Sequence, residues 1–251
     1  MKKVSPLLLV IIFFAFAACT PKAKAPIPVL EYGTMDAVGH KNLLILLRGL
    51  GGDNWDFEKH GIIAEVRKRD LPFDIVAPDA HFGYYKTRTI EERLKYDIID
   101  PARRQGYKNI WLAGFSMGGM GGLFYIKFYP DDVDGVILCS PFVGWDDIHE
   151  EITAAGGVLE WPGKNDPAED EWQYLLWNFI KELDAAQEKY PPLFLGYGTD
   201  DLLVGDGPKL MKPVLPEKRV FTIPGGHDYQ TFRRLWTIHL NRLETRFKKL
   251  P

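Results

Sequence analysis

Ser116 stands between two glycines in Gly114-Phe115-Ser116-Met117-Gly118, directly after the apolar run Asn109-Ile110-Trp111-Leu112-Ala113. The pattern G-x-S-x-G suits a strand that turns sharply into a helix, which pushes a serine hydroxyl out at the carboxyl end of a sheet. A serine hydroxyl is a weak nucleophile at neutral pH. It needs a base within hydrogen-bond reach, and that base must be held in one tautomer by a third group. Both groups are on offer just past strand-like runs. Asp200 and Asp201 follow Leu193-Phe194-Leu195-Gly196-Tyr197, and His227 lies in Pro224-Gly225-Gly226-His227-Asp228 after the run over 219–223. The chemistry open to this set is nucleophilic catalysis by Ser116. A helix starting just after it would aim its first amides, and the positive end of its dipole, at whatever the serine attacks.

The elements that must position these groups are legible from apolar patterning. Residues 42–47 form a continuous apolar run, as expected of a strand covered on both faces, and lead into the glycine-rich loop Arg48-Gly49-Leu50-Gly51-Gly52-Asp53. A helix is predicted over 57–69 and a strand over 73–77, followed by a loop over 78–85 that holds His81, Tyr84 and Tyr85. Thr89 and Glu92 have capping-box spacing, so a helix should start there, and Pro101 should end or kink it. After Ser116, Gly119, Gly121 and Gly122 would cost roughly 1 kcal/mol each in an exposed helix. They make sense in a helix lying close against a sheet. Pro130 stops that helix and a strand follows over 135–139. Residues 141–192 break the rhythm with Trp145, Trp161, Trp172 and Trp177 and a helix over 171–189. Their first part reads as a small cap-like excursion over the site, with most of these tryptophans in packing roles. A last helix over 229–248 closes the chain. Strands alternating with helices predict an α/β fold, a mainly parallel central sheet with helices on both faces, and function at the carboxyl ends of the strands.

With 251 residues, 46% of them hydrophobic, the chain suits one large domain. That domain is expected over 29–251. Ahead of it, Met1-Lys2-Lys3 and the apolar run over 7–18 read as a secretory signal, too short to span a bilayer. The sequence Phe16-Ala17-Ala18-Cys19 resembles the lipobox of bacterial lipoproteins, which implies a signal over 1–18, an acylated Cys19 and a solvated tether over 19–28. Thr20 after the cysteine implies the outer membrane by the same resemblance, with the enzyme facing the periplasm. More than one acyl chain on Cys19 would suffice for stable anchoring. The formal charge is -3, or -5 without the two lysines of the signal, and gives no sign of nucleic-acid binding. Cys139 reads as a small buried hydrophobe, and no cysteine spacing suits zinc.

The serine, acid, histidine order resembles that of the α/β-hydrolases. More narrowly, Ala113-Gly114-Phe115-Ser116-Met117-Gly118-Gly119 and Pro224-Gly225-Gly226-His227-Asp228 are similar to the serine and histidine motifs of the esterase D-like serine esterases, in a likeness that runs from about residue 42 to residue 240. The resemblance implies Ser116 as nucleophile, His227 as general base and then acid, and Asp201 as the group orienting His227, with Asp200 the competing acid. It implies an oxyanion hole from the backbone amides of Met117 and Leu50. Arg48 departs from it, since many relatives have histidine there, and the bracing of that loop is then open. The expected reaction is hydrolysis of a small-molecule carboxylic ester or thioester through an acyl-enzyme, with no metal and no cofactor. The alternatives are acyl transfer by the same three residues, or a binding lipoprotein that has kept only the fold. His81 and Tyr84 are expected to line the substrate pocket; His40, His60, His149 and His239 are expected at the surface.

Overall fold

The computed structural model describes residues 21–33 and 41–250. Seven strands form one sheet: β1 (Val29–Tyr32), β2 (Asn42–Leu47), β3 (Asp74–Pro78), β4 (Asn109–Phe115), β5 (Gly135–Cys139), β6 (Leu193–Gly198) and β7 (Val220–Ile223), in the spatial order β1-β3-β2-β4-β5-β6-β7. All neighbours run parallel except β1, which is antiparallel to β3 at the edge. The apolar runs dictate this. Every residue of β2 and β5 is buried, as a strand covered on both faces requires. Alternation then divides the side chains: Leu43, Ile45 and Leu47 point into one core layer, and Leu44 and Leu46 into the other.

The helices fall into two sets about this sheet. In chain order they are α1 (Asp56–Lys59), α2 (Ile62–Arg67), α3 (Phe82–Lys86), α4 (Ile90–Arg93), α5 (Asp100–Arg104), α6 (Met117–Phe128), α7 (Asp146–Ala154), α8 (Trp172–Ala185), α9 (Gly207–Met211) and α10 (Tyr229–Phe247). The buried faces of α1, α2 and α10 share one layer, and those of α6, α7 and α8 the other. The α/β fold with a mainly parallel, two-sided sheet is therefore the one expected.

Several elements differ from expectation for identifiable reasons. The helix predicted over 57–69 is split into α1 and α2 at Gly61, which has φ 76°. Thr89 makes no capping hydrogen bond; its hydroxyl pairs with that of Thr87, 2.9 Å away. Pro101 does not end its helix. A π-helical stretch, Leu94–Ile99, joins α4 to α5, and the wider turn comes just before the residue that lacks an N–H. The helix predicted over 171–189 ends at Ala185. Strand β1, α3 and α7 were not anticipated. The tether over 19–28 is mostly exposed where it is described but is pinned at two points: Ile27 is buried with its amide donating to Asp97 Oδ2 at 2.8 Å, and the Lys24 backbone is bonded to the Tyr84 hydroxyl. The signal over 1–18, Cys19 and His40 lie outside the described residues.

Residues 141–192 contribute more to the core than to a cap. Helix α8 crosses between β5 and β6 with Leu176, Trp177, Phe179, Ile180 and Leu183 buried, and Trp161 is also fully buried. Two histidines expected at the surface are corrected here: His149 and His239 are both buried. Cys139 is buried as read, which pushes its thiol pKa up.

Burial depresses the His239 pKa from 6.5 to about 3, against a backbone hydrogen bond to Leu138 that works the other way. The unfolded chain therefore binds a proton near pH 6.5 that the folded chain refuses. Stability is full above pH 6.5 and is lost progressively as pH falls toward 3, by about 2 kcal/mol at pH 5 from this group alone. Urea titrations at pH 7 and pH 5 should show that loss, and His239→Leu should flatten it.

The glycines of α6 make a second prediction. A Cβ on Gly118 would collide with the Leu47 carbonyl, whereas one on Gly122 would meet only Val136 Cγ1 at 3.5 Å. In equilibrium unfolding, Gly118→Ala should cost about 2–3 kcal/mol or more by overpacking against backbone, and Gly122→Ala should be neutral or gain about 0.5–1 kcal/mol.

Candidate active site

Ser116 sits at the junction of β4 and α6 with φ 54° and ψ -120°, a conformation that costs a non-glycine residue about 1–3 kcal/mol. The surrounding backbone holds it there. Its amide donates to the Cys139 carbonyl (3.1 Å), and its carbonyl accepts from the amides of Gly119 (2.9 Å) and Phe142 (3.0 Å). The turn thereby lifts the side chain off the end of the sheet. Ser116 Oγ lies 2.8 Å from His227 Nε2.

His227 comes from the loop between β7 and α10, one residue before Asp228, whose side chain caps α10 by accepting from the Thr231 amide at 2.8 Å. The imidazole stands edge-on to Phe232, ring centroids 5.0 Å apart. Its Nδ1 lies 2.8 Å from Asp201 Oδ2 and 3.0 Å from Oδ1. The Asp201 side chain is 1% exposed, and Oδ1 also accepts from the amides of Leu203 (3.2 Å) and Val204 (3.4 Å). An ionised carboxylate can only accept. It therefore holds Nδ1 as the protonated nitrogen and leaves Nε2 as the acceptor facing the serine hydroxyl.

The competing acid has a different task. Asp200 Oδ2 accepts from the Gly225 amide at 3.0 Å and so ties the β6 loop to the histidine loop. Of the two adjacent carboxylates, the structure brings Asp201 to His227. Ser140, buried with φ 43°, accepts the Gly198 amide on its hydroxyl at 3.3 Å beneath the same loop.

Met117 is the first residue of α6, so its N–H has no partner within the helix. Opposite it, the loop after β2 presses on the serine: a Cβ on Gly49 would lie 3.2 Å from Ser116 Cβ and 3.7 Å from Oγ. This places Leu50, the other expected oxyanion donor, in the loop beside the hydroxyl. What braces the loop escaped sequence reasoning. Arg48 is buried, and its Nη1 donates to the carbonyls of Gly49 (3.4 Å) and Gly52, while its Nη2 pairs with Asp79 Oδ1 at 3.1 Å. From the other side Asp56 Oδ2 accepts the Asp53 amide at 3.0 Å. The arginine was visible as a departure from the family pattern, but its carbonyl partners are not encoded in spacing.

His81 and Tyr84, the residues expected to line the pocket, are both buried and tie the chain together through hydrogen bonds. His81 Nδ1 accepts from the Gly83 amide (3.1 Å) at the start of α3, and burial lowers its pKa. The Tyr84 hydroxyl accepts from the Lys24 amide (3.0 Å) and donates to the Lys24 carbonyl (3.1 Å). Besides Phe232 on His227, aromatics reach the serine from the segment after β5. Phe142, whose amide binds Ser116, packs on Trp145 (4.6 Å) and Trp172 (6.0 Å between centroids). Among the described residues no group of three or more His, Cys, Asp or Glu could hold a metal ion.

Comparisons with known proteins agree on the architecture. A family model described as serine aminopeptidase, S33, matches residues 96–165, which include Ser116 but neither Asp201 nor His227. A solved ferulic acid esterase is similar at 16% identity over 88% of this chain and 98% of its own, with a TM-score of 0.60. Est1E from Butyrivibrio proteoclasticus is 19% identical over 90% and 97% at a TM-score of 0.57. An S-formylglutathione hydrolase from Staphylococcus aureus is 14% identical over 88% and 98%, also at 0.57. No curated protein matches the chain. The fold is that of the α/β-hydrolases.

If Arg48 positions the Gly49–Gly52 loop, a side chain without its fork should loosen it. Arg48→Met is expected to slow fluorophosphonate labelling of Ser116 roughly 10- to 100-fold, less than the roughly 100- to 1000-fold of a lost oxyanion donor because the amides are loosened rather than removed. Arg48→Lys should recover part of the rate, since an ammonium cannot bridge two carbonyls and a carboxylate in one plane. Circular-dichroism melts of the same variants separate a loosened loop from a lost fold.

Proposed function

We propose that this protein is a serine hydrolase that cleaves a carboxylic ester or thioester through an acyl-enzyme. The observation that carries the reading is the continuous chain from Ser116 Oγ through His227 to Asp201, with contacts of 2.8 Å at both ends of the imidazole. His227 Nε2 takes the hydroxyl proton as Ser116 Oγ adds to the acyl carbon, and Asp201 stabilises the imidazolium. The backbone amides of Met117 and Leu50 receive the negative charge on the acyl oxygen, helped by the α6 dipole. The tetrahedral adduct collapses, and the leaving alcohol or thiol takes its proton from His227. Water then attacks the acyl-serine by the same steps in reverse order, with His227 again as base.

The esterase names among the structural relatives support the acyl-ester class, and the aromatic cluster of Phe142, Trp145 and Trp172 beside the serine suits an apolar acyl group. A fold retained only for binding would have no reason to keep three catalytic side chains within hydrogen-bond reach. The enzyme is further proposed to be anchored at Cys19 on the periplasmic side of the outer membrane, a reading that rests on the lipobox-like sequence alone.

A fluorophosphonate should label Ser116 and no other residue, as located by peptide mass spectrometry, and Ser116→Ala should abolish both labelling and ester turnover. A folded protein that turns over esters with Ser116→Ala in place would make the nucleophile assignment wrong.

A further inference from the structure

Five of the eight large apolar side chains exposed among the described residues lie at one end of the molecule. Leu50 and Trp55 (57% exposed) follow β2, Trp145 follows β5, and Leu202 (89% exposed) and Leu203 follow β6. Four of them are close to the reacting groups along the chain or through a bond: Leu50 adjoins Gly49, Leu202 adjoins Asp201, the Leu203 amide donates to Asp201 Oδ1 at 3.2 Å, and Trp145 packs on Phe142; Trp55 is tied to the loop of Leu50 by its amide, which donates to Asp53 Oδ1 at 2.9 Å. They therefore ring the mouth of the candidate active site.

The start of the described chain is at the same end. Antiparallel pairing sets Val29 opposite Pro78, so the residues before Val29 lie beyond the carboxyl end of β3. They run back over α3, where Lys24 is bound twice by the Tyr84 hydroxyl and the Pro21 carbonyl lies against Gly83. Cys19 is two residues ahead of Pro21 in sequence, and two residues reach at most about 7 Å. The described chain thus begins at the end of the sheet that carries these apolar side chains, two residues after the lipobox-like cysteine. A tether leaving from the opposite end of the sheet would have put the site away from its anchor.

We propose that this carboxyl-end face, with Trp55, Trp145, Leu202 and Leu203 at its centre, docks on a lipid bilayer, so that the site opens onto the membrane surface and takes its acyl ester from it. The substrate class follows from the hydrolase reading above, on which this inference rests: an ester or thioester dissolved in the bilayer rather than one free in water. No described helix is long and apolar enough to cross a membrane. More than one acyl chain at Cys19 would already hold the protein on a membrane, so what the apolar face adds is the orientation of the site toward the bilayer. Exposed Asp53, Asp146, Asp147 and Asp206 flank the ring, with Lys209 paired to Asp206 at 3.2 Å and exposed Lys22 and Lys24 on the N-terminal segment, so the face carries both signs and suits a bilayer of neutral headgroups.

The test uses the full chain reconstituted into phosphatidylcholine vesicles whose acyl chains carry bromine, a contact quencher of tryptophan. Of the seven tryptophans, Trp111, Trp161, Trp177 and Trp236 are buried and Trp172 is half-buried, so the quenchable emission comes chiefly from the exposed Trp55 and Trp145. Quenching is expected in brominated vesicles, and it should shrink in Trp55→Phe and again in Trp145→Phe. Trp55→Ser with Leu202→Ser should lower turnover of a long-chain nitrophenyl ester dissolved in the vesicles about tenfold or more, as expected from two apolar side chains withheld from the bilayer, with turnover of nitrophenyl acetate in water unchanged. The mass of the mature N-terminus reads the anchor separately. An acylated chain that stays unquenched would overturn the docking and leave the anchor standing. An unacylated chain that binds and is quenched would leave the docking standing without the anchor, and one that neither binds nor is quenched would overturn both. Equal losses on both esters would mean that Trp55 and Leu202 serve the acyl pocket and would overturn the proposal. Absent turnover of nitrophenyl acetate by the unaltered protein would instead strike at the hydrolase reading.

Discussion

The close approach of backbone at the β4–α6 turn is the constraint on which the site depends. Ser116 holds a positive φ because its amide and carbonyl are bound by Cys139, Gly119 and Phe142, three residues from β5, α6 and the segment beyond β5. Gly118 lets the first turn of α6 lie directly on the Leu47 carbonyl at the end of β2. Any side chain there would lift the helix off the sheet, and with it the Met117 amide and the serine hydroxyl. The strain is sustained by packing on every side, which is how local strain persists at functional sites.

Charge is handled by a division of labour around that turn. Asp201, nearly inaccessible, spends its acceptors on one imidazole nitrogen and two amides, so the histidine is fixed in orientation and tautomer. Asp200 spends its carboxylate on the histidine loop instead. On the other side of Ser116 a buried guanidinium, neutralised by Asp79, gathers the carbonyls of the Gly49–Gly52 turn. Turning carbonyls toward Arg48 leaves the amides of a glycine-rich loop directed elsewhere, which is the polarity a site for developing negative charge requires.

The edge of the sheet links this site to the N-terminal segment. Antiparallel β1 brings the chain in from the carboxyl end of the parallel strands, so the segment before Val29 and the strand-end loops share one face. Had β1 been parallel to β3, the same segment would have entered at the opposite end. One strand direction thus brings the N-terminal segment to the end of the sheet where the candidate site lies.

The sequence by itself determined the sheet and the order of the reacting groups. Continuous apolar runs over 42–47, 109–113 and 135–139 are satisfied by burial on both faces; G-x-S-x-G follows the second of them, and Asp201 and His227 follow the less completely buried strands over 193–198 and 220–223. Local signals were less secure where other forces competed: the capping box at Thr89 lost to a hydroxyl pair with Thr87, Pro101 was absorbed by a π turn, and His149 and His239 were drawn into the core by packing. Only the tertiary structure decided between Asp200 and Asp201, assigned Arg48 to the carbonyls of its loop, gave Tyr84 to the Lys24 backbone and set the apolar side chains around the mouth. These are contacts between residues far apart in the chain or differing by one position, and residue type and spacing carry no information about which of two neighbouring side chains faces a third from another strand.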